Sequence, residues 1–357
     1  MSGSAVNIFV SEYLCSGACE LSDTEAGIFR EGTAMLEAVI SDLLALPHMR
    51  VITSLQQNVE LKLPLLEQAI RAERLQIFRV DTPEQEREIF KTACLASDCV
   101  LIIAPEFEEL LSRRTQQALD YGAVVSGPDL TTIQLTADKW RLFEMMQEHS
   151  LPTIPTRLLS AELLRSAITF PCLIKHRFGA GGLGLEAFEN EKQLRNRWNL
   201  LSSAEGQYLF QPFLQGKPLS TVALIRPGER DYFPVGEQQI SWDQGFAYQG
   251  GSIPADIDQS MLPSIYNLLD RVCDLLPGLA GYVGFDILLP DDSPHEPLLV
   301  EINPRLTTSY TGYRRLTQDN LAERMMNLET EFPRITWQEG VTVRFQPDGT
   351  VSLNPQL

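Results

Sequence analysis

Between residues 6 and 119 the chain alternates short apolar runs with amphipathic stretches, and this alternation constrains its fold more than any other feature. Residues 6–10, 51–55, 75–80 and 99–104 read as strands, and residues 26–46, 64–73, 84–96 and 106–119 as helices. Within 26–46, Ile28, Met35, Val39 and Leu43, together with Leu36, Ile40 and Leu44, recur at helical spacing. Strands joined through helices run parallel, and a parallel sheet hides both faces under those helices. The expected unit is a doubly wound α/β domain closing near the turn cluster Ser126-Gly127-Pro128-Asp129. Such sheets bind ligands at the carboxyl ends of their strands, so the loop 11–20, with Glu12 and Tyr13, is a place to expect substrate contacts.

The length of 357 residues allows two or three domains at about 150 residues each. Lys and Arg total 29 against 47 Asp and Glu, a net charge of −18, and a field of that sign repels phosphate backbones, which argues against nucleic acid as a partner. No run approaches the ~20 apolar residues that span a bilayer. The start, MSGSAVNIFVSEY, lacks the basic and long apolar stretches of a signal peptide, so no membrane and a cytoplasmic location are expected. Cys15 and Cys19 stand close together, but no neighbouring His or second close pair completes a metal site, and buried or reduced thiols are expected for all six cysteines.

Beyond residue 150 the texture becomes α+β. A helix predicted over 132–149 leads into closely spaced strands at 170–175, 185–188, 208–213 and 220–225, then at 284–289 and 297–302, and a closing hairpin turns at Pro347-Asp348-Gly349. The expected divisions are 1–127, then 128–340 in two parts meeting at 215/216, then the hairpin 341–357.

The densest chemical signal is FPCLIKHRFGAGGLG at 170–184: an apolar strand ends at Lys175 and His176, and Gly179, Gly181, Gly182 and Gly184 follow with Ala180 among them. A loop with so little side chain offers backbone N–H groups to phosphate oxygens, and a lysine beside it supplies charge. The string also fits the dinucleotide pattern G-x-G-x-x-G, but that pattern opens a helix, whereas residues 185–188 read as another strand. A hairpin flap fits better than a dehydrogenase turn, with a purely structural glycine hairpin as the bland alternative.

A second signal lies in GYVGFDILL and LLVEINPRL, where Asp286, Glu301 and Asn303 sit inside apolar strand-like runs. Strand alternation puts Glu301 and Asn303 on one face. An acid within such a run needs a partner to offset desolvation, and Mg2+ bridges one or two carboxylates to substrate phosphates.

Together these pieces resemble the ATP-grasp superfamily over about residues 128–330, with the preceding α/β unit resembling the domain that usually stands before it. The resemblance implies two α+β subdomains clasping ATP. It places Lys139 and Lys175 on the phosphates, with the glycine flap 179–184 and His176 beside them, and YLFQPF at 208–213, with Gln211 and Phe213, along the adenine. It assigns Asp286, Glu301 and Asn303 to Mg2+ and Arg305 to the transferred phosphoryl group, and makes Lys175 and Arg305 catalytic. The family's hinge often carries a Glu for the ribose; Pro218 stands there instead. EINPRLTTSYTGYRRL and FVSEYLCSG narrow the resemblance to the tyramine–glutamate ligase family of methanofuran biosynthesis and its bacterial relatives, with Glu12, Tyr13, Thr307, Thr308 and Tyr310 toward the substrates. The implied activity is amide formation through an acyl phosphate, joining glutamate to tyramine or tyrosine, with ATP and Mg2+ as cofactors, small-molecule acid and amine partners, and room for a homodimer. A ligase for other amino-acid substrates, a nucleotide-binding protein without catalysis and, more distantly, an NAD-linked oxidoreductase remain alternatives.

Overall fold

The computed structural model describes residues 5–19, 26–179, 184–201, 204, 206–241, 246–326 and 333–355. The N-terminal unit runs β1 (Val6–Glu12), α1 (Ala26–Leu44), β2 (Met49–Gln56), α2 (Leu66–Arg71), β3 (Leu75–Val80), α3 (Pro83–Leu95), β4 (Cys99–Ile103), α4 (Leu110–Asp120) and β5 (Val125–Ser126). All its strands are parallel, in the order β3-β2-β1-β4-β5. Alternate residues serve opposite faces: Ile8 and Val10 pack beneath Leu36, Ile40 and Leu43 of α1, while Phe9 packs with Phe90 of α3 and Leu111 of α4. β1 extends past its predicted end because Ser11 and Glu12 pair with Ile102 and Ile103 of β4. Glu12 is therefore a strand residue and not part of the following loop.

The helix predicted over 132–149 is two helices, α5 (Leu130–Ala137) and α6 (Lys139–Glu148). Asp138 between them is extended (φ −89°, ψ 93°), and its carboxylate accepts the N–H groups of Trp140 and Arg141 at 3.1 and 3.2 Å. An N-cap aspartate at this point makes a new helix start where apolar periodicity alone ran straight through.

The next unit contains β6 (Arg157–Leu158), β7 (Cys172–His176), β8 (Glu186–Phe188), α7 (Glu191–Leu201) and β9 (Tyr208–Pro212), forming an antiparallel sheet in the order β6-β9-β7-β8. β7 and β8 pair directly, Cys172 opposite Phe188, so the glycine loop joins two strands of a hairpin and opens no helix.

The remaining elements are β10 (Gly216–Arg226), β11 (Glu229–Tyr232), β12 (Gly236–Ser241), β13 (Ala247–Ile253), α8 (Leu262–Leu275), β14 (Gly281–Pro290), β15 (Leu298–Asn303), α9 (Tyr310–Tyr313), α10 (Leu321–Met326), β16 (Val341–Phe345) and β17 (Val351–Pro355). They form an eight-stranded sheet ordered β15-β14-β10-β12-β13-β16-β17, with β11 also on β10. The closing hairpin β16–β17 continues this sheet through β13. One face packs Phe285, Ile287 and Leu289 against Leu268, Leu269 and Val272 of α8. Val222, Leu224, Tyr282, Tyr310 and Tyr313 join the same core as Leu36 and Ile40 of α1, so the parallel unit and the large sheet are sealed together. The six cysteines are free, and among the described residues no helix is long and apolar enough to cross a membrane.

Candidate active site

A cavity of ≈ 500 Å3 opens where the small sheet, the large sheet and α1 meet. Period-two alternation builds its floor: Asp286 and Leu288 of β14 face it, while Val283, Ile287 and Leu289 pack on the other side of the strand. On β15, Glu301 and Asn303 face it and Ile302 is core. Cross-strand register sets Asp286 opposite Glu301 and Gly284 opposite Asn303.

Asp286 accepts from Asn303 Nδ2 at 3.0 Å and Gln238 Nε2 at 2.9 Å. Burial and the neighbouring Glu301 charge push its carboxyl up. Burial works in the same direction on Glu301, but Lys139 and Lys175 outweigh it and hold that carboxylate down. Two adjoining carboxylates, each disfavouring the other's ionisation, form a ligand set that favours positive charge. With an amide oxygen beside them they fit Mg2+, a hard cation that takes one or two carboxylates and leaves its other positions to water and phosphate. Among the described residues no cluster of three His, Cys, Asp or Glu forms a self-sufficient metal cage.

Lys139, the first residue of α6, reaches Glu301 Oε2 at 2.9 Å and donates to the Gly179 carbonyl at 2.7 Å. Its position depends on Asp138, whose two carboxylate oxygens each accept from Arg177, from Nε and Nη2, at 2.6 Å. That bidentate pair ties the start of α6 to the residue after β7. Lys175 on β7 faces the same acids; burial first and the Lys139 charge second depress its ammonium to about 8. His176 lines the cavity with its Nδ1 accepting from Phe178 N at 3.2 Å, and burial and then Lys139 lower its pKa.

Gly179 lines the cavity, Gly184 does not, and Gly181 and Gly182 lie outside the described residues. Gln211 and Phe213 line it too, but Gln211 spends its amide N–H on Thr156 at 2.8 Å and Phe213 its backbone N–H on Pro171 at 3.1 Å. Gly216, at the start of β10, has no room for a side chain: a Cβ there would stand 2.3 Å from the Leu289 carbonyl oxygen. Pro218 follows on the cavity wall, and Asp291 lies close by.

At the other end Arg305 is held bidentately by Glu106, a residue of the loop after β4, at 2.8 and 3.0 Å. Burial opposes the charge on Arg305, but Glu106 more than offsets it. Thr308 donates to Glu31 of α1 at 2.9 Å, and Thr307 lies beside Tyr282 and Ser309 at 3.1 and 2.8 Å. Three expectations need correction. Glu12 is 1% exposed beneath the site, its carboxylate accepting from Cys15 N at 2.6 Å. Tyr13 packs under the Arg114 guanidinium, and Tyr310 donates from its buried hydroxyl to Asp42 at 2.6 Å. None of the three lines the cavity.

Glu31, Glu106, Asp138 and Tyr248 were not singled out from the sequence. For Glu106 a signal existed, since it follows the carboxyl end of β4, next to β1 where the strand order reverses. Glu31 looks like any polar residue on an amphipathic helix.

Residues 136–309 match the ATP-grasp domain family, and residues 62–133 match the pre-ATP-grasp domain 3 family. Residues 136–309 are thus an ATP-grasp domain, and the parallel sheet belongs to the domain that precedes it. Among curated proteins it is similar to tyramine–L-glutamate ligase of Methanocaldococcus jannaschii, 24% identical over 304 residues, covering 84% of this chain and 82% of that one. It is also similar to the Methanocaldococcus fervens enzyme of the same name, 26% identical over 229 residues, 63% of this chain and 64% of that one. The chain thus spans just under two thirds of the latter relative's length. An ATP-grasp superfamily protein of Archaeoglobus fulgidus shares the fold with a TM-score of 0.67 at 21% identity, over 95% of this chain and 92% of that one.

Proposed function

We propose that the protein is an ATP-dependent carboxylate–amine ligase that joins glutamate, through a carboxylate, to tyramine or tyrosine. The observation that carries this reading is the convergence of Lys139, Lys175 and the Gly179 end of the flap on Asp286, Glu301 and Asn303 within one cavity. The likeness to tyramine–L-glutamate ligases supports the substrates, and with tyramine goes a place in methanofuran-type cofactor synthesis.

The stretch from Gln211 to Leu214 would receive the adenine, and Lys139 and Lys175 the triphosphate. Asp291, beside Gly216, is the acid we place on the ribose hydroxyls in the absence of a hinge glutamate. Asp286, Glu301 and Asn303 would hold Mg2+, which when bound would neutralise charge on the phosphates. Lys139 then exchanges Glu301 for phosphate oxygen. The substrate carboxylate attacks the γ-phosphorus and ADP departs; the amine nitrogen attacks the resulting acyl phosphate, phosphate leaves with the C–O electron pair, and the nitrogen loses a proton. No protein nucleophile is needed. The chain contributes position and charge: Lys175 at the transferred group, and Arg305, already oriented by Glu106, at the acyl phosphate.

The test is ADP release with Mg-ATP, L-glutamate and tyramine, tyrosine or a panel of other amines, followed by product mass. Release that needs both acid and amine, with a mass equal to their sum less water, establishes the ligase and its substrates. ATP binding with no release across the panel overturns the assignment of glutamate and these amines.

A further inference from the structure

Of the carboxylates on the cavity wall, Asp286 and Glu301 belong to the cation cluster and Asp291 lies at the hinge end. Glu31 belongs to neither place. It projects from α1 into the cavity, and among the described residues its one hydrogen bond is the 2.9 Å contact from Thr308 to Oε2, so Oε1 has no partner there. The nearest cation, Arg305, already gives Nε and Nη2 to Glu106 and Nη1 to the Leu306 carbonyl. Lys139 is engaged with Glu301.

The helix that carries Glu31 has little freedom to move. A methyl group at the adjoining Gly32 would stand 2.5 Å from the Glu12 carboxylate, so α1 lies directly on that buried acid. Burial pushes the Glu31 carboxyl up, and the Thr308 hydrogen bond and the Arg305 charge offset this only in part. A carboxylate kept in a half-buried wall without a cation is costly unless a ligand supplies one. Tyr248 of β13 lines the same cavity, and its hydroxyl feels the Glu31 charge. A carboxylate and an aromatic ring in the lining of one cavity suit a primary ammonium on a short arylalkyl chain.

Resting on the ligase reading, we propose that Glu31 is the residue that receives the ammonium group of the amine substrate and selects for it, with Thr308 orienting its carboxylate. The amine then enters from the N-terminal domain's side of the cavity, close to Arg305, three residues before Thr308; its ammonium passes one proton to the Glu31 carboxylate before the nitrogen attacks, and the second leaves once the C–N bond has formed.

The probes are tyramine and its uncharged analogue 2-(4-hydroxyphenyl)ethanol, titrated into the full chain with Mg-ADP present. Wild type is expected to bind tyramine about tenfold or more tightly than the alcohol, the contrast expected for a hydrogen bond to a charged group. Glu31→Gln is expected to abolish that preference by weakening tyramine alone, and Glu31→Asp to keep it; the Mg-ATP thermal shift reports that each variant is folded. Equal affinities of wild type for the two probes, failure to bind either, or an undiminished preference in Glu31→Gln overturns the proposal. The wild-type comparison needs no variant, so it can still overturn the proposal if Glu31→Gln does not fold, and Glu31→Ser then carries the test of the residue itself. Wild type with Mg-ATP, glutamate and hydroxylamine tests the ligase reading separately: absence of a hydroxamate removes that reading while the tyramine preference still stands or falls by itself.

Discussion

The parallel sheet of the N-terminal domain is covered on both faces, by α1 on one and by α3 and α4 on the other, whereas the large antiparallel sheet is covered by α8 on one face and gives part of the other to the cavity. In the first, every residue of a strand such as Ile8-Phe9-Val10 is core. In the second, one strand does two things in alternation: Phe285 and Ile287 hold the sheet to α8 while Asp286 between them serves the site. Stability and chemistry are thus separable in the N-terminal sheet and interleaved in the large one, where neighbouring residues of one strand fail in different ways.

The sharpest test of that contrast is Lys175→Ala or Glu301→Ala, each expected to cut ADP release at least about a hundredfold while the unfolding midpoint stays near wild type. Residual turnover within a few-fold of wild type would break the site assignment. On the other side of the comparison, Glu86→Ala leaves Arg114 buried without its ion-pair partner in the N-terminal domain. It should lower stability by about 3–5 kcal/mol in urea unfolding, with turnover per folded molecule unchanged.

Glu12 tests whether the boundary region is purely structural. Burial raises its carboxyl from 4.5 to about 7. Between those pH values the folded chain keeps a proton that the unfolded chain has released, so this group's contribution to stability falls as pH rises through that window and levels off above it. Glu12→Gln removes this dependence, so it should gain about 3 kcal/mol on wild type between pH 4.5 and pH 8. Equal pH slopes in urea unfolding would refute it. Smaller still is the pH response of nucleotide binding. With Lys175 depressed to about 8, ATP affinity should be flat below that pH and fall up to about tenfold by pH 9 as the ammonium is lost, and Lys175→Ala should abolish the response. The smallest effect is expected of Asp291→Ala, a few-fold weakening of ATP binding by equilibrium titration.

These differences also explain what could be read in advance. A strand hidden on both faces writes an unbroken apolar run, so β1 to β4 were legible with only end corrections. The large sheet was legible where acids interrupt apolar runs, at Asp286 and Glu301, and opaque at β12 and β13, whose GEQQIS and AYQGGSI carry no such run. For the site the order is reversed. Lys139, Lys175 and the acid cluster stand in local motifs, while Glu31 reaches the cavity, and Glu106 reaches Arg305 on its wall, only because α1 and the loop after β4 dock on a surface made far along the chain. Asp138 hid for a different reason: its capping role breaks a helix whose apolar period continues across the break.

The Thr308–Glu31 hydrogen bond joins residues 277 apart in sequence. At a synthesis rate of about 5–20 residues per second, roughly 15 to 55 seconds pass between the emergence of the two partners. Through that interval α1 is without α9 and α10, which later pack on it, and Tyr310 and Tyr313, which join its core, have not yet been made. The nascent N-terminal domain therefore passes the synthesis of those 277 residues with an apolar flank uncovered, and the Glu31–Thr308 wall of the cavity forms only afterwards.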